Sequence, residues 1–180
     1  MGLTNDQWYF LNSSKIWLRG IVYQGRRLLE NQQRMQSAMQ AIPVENLIWR
    51  QDFPVYNDLR IVEEHFFVIS VSKAIDWLKE VRKFRKDLIT DIDSFLQGLP
   101  EAKDLRNMRE HDVDYFKGKG KAQDRFVKNM PDATIDGSAS YSDGNGYLIG
   151  GRLNVQHAID AAQKLYPKVE KVVLEIHEIE

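Results

Sequence analysis

The stretch that most restricts the fold runs from Asp58 to Leu88. Phe67, Val71, Ala74, Leu78, Val81 and Leu88 follow alternating steps of four and three, broken only at Arg85. Val62, Phe66 and Ile69 put a second apolar strip beside the first. A helix apolar over so wide an arc must pack on two sides, inside a bundle or against another subunit. Extended upstream, the first strip passes through Glu64. A carboxylate on a core-facing seam needs a partner, because unpaired buried charge is costly.

The neighbouring segments read as more helix. Ser13 or Ser14 can cap a long helix reaching about Ala41, with Ile16, Trp17, Ile21, Leu28, Leu29, Met35 and Met39 as its apolar residues. Gly20 and Gly25 each weaken it by up to ~1 kcal/mol relative to alanine, so a bend or a close helix contact is expected there. Pro43 to Asn57 reads as a connector, with Trp49 and Phe53 tucked beneath it. Asp58 can cap the second helix, and a third spans Lys86 to Gln97. Gly98 and Pro100 break and restart the chain, and the next helix is expected to run to Phe116.

Beyond Lys117-Gly118-Lys119-Gly120 the pattern changes. Ala133–Asp136 and Tyr147–Leu153 read as short extended segments around the turn-rich stretch Gly137–Gly146. Asp143-Gly144 and Asn145-Gly146 are strong hairpin turns. Asn154 can cap a helix from Val155 to Leu165, stopped by Pro167. Val172, Leu174 and Ile176 alternate with polar residues, which suits a terminal strand, although a helix fits as well. The expectation is one mainly α domain over residues 1–180. A helical bundle occupies about 14–116, and a β-hairpin plus helix appendage about 131–180.

Hydrophobic content of 43% suits a globular chain, and its 180 residues suffice to bury a core. The absence of cysteine excludes disulfides, zinc thiolate sites and cysteine nucleophiles. No secretory signal or membrane-length apolar stretch is apparent, so a soluble, cytoplasmic protein without a membrane partner is expected. With 25 basic and 26 acidic residues, the chain has no global field to attract nucleic acid. Any such role must rest on local patches.

Chemistry concentrates in Leu105-Arg106-Asn107-Met108-Arg109-Glu110-His111. A guanidinium binds phosphate oxygens as a fork and stays charged as a transition state gains negative charge. Histidine exchanges protons near neutral pH. On a continuous helix Asn107 and His111 share one face, whereas Arg106 lies about 140° away from His111. Arg106 must then reach round, pair with Glu110 at salt-bridge spacing, or serve a groove shared with a second subunit. Glu64 is expected to pair with Arg106 and hold it in place.

The spacing Arg-Asn-x-x-x-His, in a late helix behind a broadly apolar one, resembles the signature of the HEPN superfamily. Those are small all-helical proteins, many of them dimeric, metal-independent RNases of toxin and defence systems. The resemblance covers about residues 14–116 and implies RNA cleavage through 2′-OH attack on the adjacent phosphate. Arg106 and His111 would be the catalytic pair, with Asn107 beside them. It also implies a homodimer and an antitoxin or nucleotidyltransferase partner. Many members of that family are non-catalytic interaction modules, so that reading stands as the alternative. An unrelated helical domain with an accidental motif is a third.

Lys117, Lys119 and Lys121, spaced by glycines, could approach a phosphate chain as substrate-binding residues. Arg82-Lys83-Arg85-Lys86 reads as a solvated helix end. His65 and His157 have no second ligand at metal spacing, and Asp87, Asp91 and Asp93 read as a solvated face. No metal and no cofactor is expected.

Overall fold

The computed structural model describes residues 3–40, 53–130 and 133–177. It is mainly helical, with two small antiparallel sheets in the C-terminal third. Helix α1 spans Asn5–Gln40 and α2 Phe53–Phe84. A 3-10 turn, Lys86–Leu88, leads into α3, Ile89–Gly98. Then come α4, Ala102–Glu110, α5, Asp112–Phe116, and the single turn α6, Gln123–Phe126. Of the expected connector, Trp49 lies outside the described residues, and Phe53–Asn57 proves to be the first part of α2.

Helix α1 starts well before Ser13. The Thr4 hydroxyl accepts a hydrogen bond from the Gln7 backbone N–H at 3.3 Å, and the Gln7 side chain accepts one from the Thr4 N–H at 3.1 Å. This reciprocal capping box fixes the start of the helix. Ser13 and Ser14 are instead buried within it.

Leu11, Leu18, Ile21 and Leu28 of α1 join Phe67, Val71, Ala74 and Leu78 of α2 in one continuous core. The last helix, α7, Val155–His177, completes it. Val155, Ala158, Ile159, Ala162, Leu165, Val169, Val172 and Val173 are all buried, a helical period maintained across Pro167. Three expectations are therefore corrected. The helix does not stop at Pro167 but runs on to His177. The C-terminal segment is no strand, because the three-and-four spacing outweighs a short alternation. Nor is this helix an appendage, since it packs along α1 inside the core. Pro167 is tolerated because it sits on the exposed side, where the carbonyl it leaves unbonded, that of Gln163, can be solvated.

The two glycines of α1 differ. A Cβ on Gly25 would lie 2.7 Å from Ile159 Cγ1 and 2.8 Å from Phe67 Cε2, so Gly25 marks the close meeting of α1, α2 and α7. A Cβ on Gly20 would meet Ser70 Oγ at an ordinary 3.7 Å. Alanine gains up to ~1 kcal/mol of helix propensity at either site. Overpacking a tight core costs ~1–3 kcal/mol. Gly20→Ala should thus raise the urea midpoint and Gly25→Ala should lower it. Equal shifts in the two variants would refute the packing assignment.

Strand β1, Val127–Met130, pairs antiparallel with β2, Ala133–Asp136. A separate sheet contains β3, Tyr141–Asp143, β4, Gly146–Ile149, and β5, Leu153–Asn154, in that order. The Asp143-Gly144-Asn145-Gly146 turn forms as expected, with Gly146 at φ +107°. Ala133–Asp136, however, pairs backward with β1 and not with the segment after the turn. No described helix is long and apolar enough to cross a membrane.

Candidate functional site

Ala102, Leu105 and Met108 turn one side of α4 into the core. The expected continuous helix to Phe116 does not occur. His111 ends α4 at φ −124° and ψ 28°, its N–H donating to the carbonyls of Asn107 and Met108 at 3.2 Å. Asp112, Val113 and Asp114 are weak helix formers, and aspartates are better placed at a helix start, which is where α5 puts them.

The break leaves the His111 side chain exposed, at the edge of a cleft of about 480 Å³. Asn107, His111, Tyr115, Lys119 and Lys121 line it, together with Asp104 and Asp114. Asp104 is held by Arg125, which also binds Glu101, so Arg125 is engaged within the fold. The lysine loop is shaped by packing. Gly118 takes φ 75°, and Gly120 lies so flat on the Tyr115 ring that a Cβ would sit 2.3 Å from Cδ1. Gln123 ties the loop down, donating to the Tyr115 carbonyl at 2.7 Å and accepting from the Gly120 N–H at 3.0 Å.

Two expected members stand apart. Arg106 does not line this cleft; its Nε pairs with Glu110 at 2.7 Å, and an Nη donates to Asn107 Oδ1 at 3.3 Å. Lys117 is exposed outside it.

Glu64 is 1% exposed, but Arg106 is not its partner. Arg60 reaches Glu64 Oε1 at 2.5 Å, and Arg109 reaches Oε2 at 2.6 Å. Ser140 donates to Oε2 at 2.7 Å and Tyr147 donates to Oε1. Arg109 takes the place expected of Arg106 because it lies four residues from the buried Leu105, on the inward side of α4. Burial first, then the charge and hydrogen bonding of Glu64, push the Tyr147 phenol well above its ordinary pKa, so it stays a donor. Arg60 also donates to the Tyr147 oxygen, at 3.0 Å. One carboxylate thereby ties α2, α4 and the β3–β4 hairpin together.

Beside this hub lies a cleft of about 590 Å³, walled by Ile61, Val62, Phe66 and Phe116 and rimmed by Asp112 and Asp136. Those four apolar residues are each about half exposed. His65 is edge-on to Phe66, and His157 sits against Gly98 in a shallow groove. Among the described residues no group of three or more His, Asp or Glu is arranged to hold a metal ion.

No protein-family model matches the chain, and neither a curated protein nor a solved structure proves significantly similar to it.

Proposed function

We propose that this chain is a HEPN-like RNA-binding protein that cleaves RNA without a metal. The observation supporting it best is that Asn107, His111, Lys119 and Lys121, from two helix ends and a loop, line one open cleft. The lysines hold the phosphate backbone, and Asn107 orients the scissile group. The ribose 2′-oxygen attacks the adjacent phosphorus, giving up its proton, and the 5′-oxygen leaves and gains one. His111 performs one of these transfers. The reaction uses no water and yields 2′,3′-cyclic phosphate and 5′-hydroxyl ends. Cleavage of single-stranded RNA should therefore persist in EDTA and leave single-stranded DNA intact. Loss of activity on chelation would refute the mechanism.

Arg106 lies outside the cleft of its own chain, so its role requires a two-fold dimer that presents it to the other copy's groove. The half-exposed Ile61, Val62, Phe66 and Phe116 beside α4 are the surface such a dimer would bury. Sedimentation at tens of micromolar, on the order of usual assay concentrations, should show a dimer, and Phe66→Glu should dissociate it. A parent chain that sediments as a monomer removes the composite site.

The Arg106–Glu110 pair favours a second reading, a non-catalytic module that binds nucleotide or a partner such as an antitoxin or nucleotidyltransferase. Purified dimer that never cleaves RNA yet binds nucleotide through this cleft would establish it.

A further inference from the structure

Between Lys15 and Arg34, α1 carries five basic residues and one acidic residue, Glu30. Arg27 is engaged by Glu63 at 2.8 Å. Arg19, Arg26 and Arg34 are exposed, and none has a hydrogen-bond or ion-pair partner among the described residues. Interleaved with them are Tyr9, Ile16 and Tyr23, exposed by 54%, 55% and 71%. At 100° per residue these six positions fall within an arc of about 100°, and they extend over roughly 38 Å of helix. The opposite side, with Leu11, Leu18, Ile21 and Leu28, is the side sealed into the core.

We propose that this outer face of α1 is a binding stripe for single-stranded nucleic acid. Arg19, Arg26 and Arg34 engage successive phosphates, and Tyr9 and Tyr23 stack on bases. Glu30 falls in the same arc, one turn from Arg26 and from Arg34, without pairing with either, and Arg19 lies near the Tyr166 hydroxyl that Glu170 holds. Three guanidiniums against one carboxylate on that face call for a polyanion, although the whole chain has a net charge of −1. Aromatic rings between them call for exposed base faces, which a duplex hides and a single strand offers. The Tyr9 ring is braced edge-on by Trp77, with centroids 5.4 Å apart, so it is presented at little entropic cost. An anionic membrane fits less well. An interfacial helix needs a continuous apolar face to insert, and here that face is turned into the bundle. The proposal goes beyond the cleavage reading, since binding on α1 needs neither His111 nor turnover.

The test uses the full chain and labelled oligodeoxythymidine, which lacks the 2′-hydroxyl and so cannot be consumed by the proposed chemistry. Fluorescence anisotropy is followed against salt. The parent should bind the oligonucleotide saturably and more tightly than a duplex of equal length. The triple variant Arg19→Ala/Arg26→Ala/Arg34→Ala should flatten the slope of log K against log salt by roughly 2, at about 0.7 for each phosphate no longer neutralised. Tyr23→Ala should weaken binding about fivefold or more, and Tyr23→Phe should restore it. Because oligodeoxythymidine has no 2′-hydroxyl to react, binding is read apart from turnover, so failure of the cleavage reading would not be mistaken for failure of this one. An unchanged salt slope in the triple variant would overturn the proposal. So would parent-like binding by Tyr23→Ala, or binding to phosphatidylserine vesicles with none to the oligonucleotide.

Discussion

RNA cleavage by the His111→Ala variant should be ~10²–10⁴-fold slower than by the parent chain, the usual cost of removing a general acid–base group. The fold should hardly notice. The His111 side chain is exposed, and the bonds that close α4 come from its backbone N–H, which alanine keeps. Exposed substitutions of this kind usually shift stability by less than about 0.5 kcal/mol. Arg106→Ala tests the other half of the motif. It forfeits one partly exposed helix pair with Glu110, worth ~0.3–0.5 kcal/mol. If the dimer shares its arginines, activity falls as with His111→Ala while the thermal midpoint stays put. Cleavage that survives His111→Ala removes the proposed mechanism, and unfolding of either variant turns the motif into a structural element.

The largest effect on stability is expected at Glu64. Removing one partner from a buried ion pair typically costs ~3–5 kcal/mol, because the remaining charge stays buried without compensation. Glu64→Ala would strand the Arg109 guanidinium, only 12% exposed, together with the hydroxyls of Ser140 and Tyr147. A domain of ordinary stability has about 5–15 kcal/mol in all, so the variant should be largely unfolded in modest urea. Tyr147→Phe deletes two hydrogen bonds to charged groups, the one given to Glu64 and the one taken from Arg60, and the first alone should cost ~1.5–3 kcal/mol. Equilibrium urea curves give both figures. A Glu64→Ala variant no less stable than Tyr147→Phe would mean that the network is solvated and the hub assignment wrong.

The sequence revealed the bundle better than the site. The broad apolar arc of α2 demanded packing on two sides; its first strip is sealed in the core, in a helix that packs on α1 and α4, whereas Val62 and Phe66 of the second strip stay half exposed. Glu64 on the same seam announced a buried partner, but the motif drew attention to Arg106, whereas the helical period pointed to Arg109. The signal was present: Arg109 shares a face with the buried Leu105, and Arg106 does not. The start of α1 was legible too, as Thr4-x-x-Gln7, a capping box that lies ahead of the more conspicuous serines. The hairpin's part in the hub was not legible. Nothing local ties Ser140 or Tyr147 to α2, since their meeting depends on how the chain returns after a long excursion. The outer stripe of α1 was hidden for a different reason. A net charge near zero averages away three arginines that share their face with only one acidic residue, Glu30.

The hub also sets an order of events in folding. Glu64 meets Arg60 one helical turn away, but Arg109, Ser140 and Tyr147 are 45, 76 and 83 residues distant. Until those arrive, water must solvate the carboxylate, so α1 and α2 can associate early only with this end of α2 still wet. Docking of the β3–β4 hairpin is then the step that dries it, and it closes a long loop before any reward is collected. Interactions made after the rate-limiting barrier govern escape from the native state more than arrival at it. In stopped-flow urea jumps, Tyr147→Phe should accordingly refold at nearly the parent rate and unfold faster. A hairpin that looks like decoration on a helical bundle would thus act as its kinetic lock.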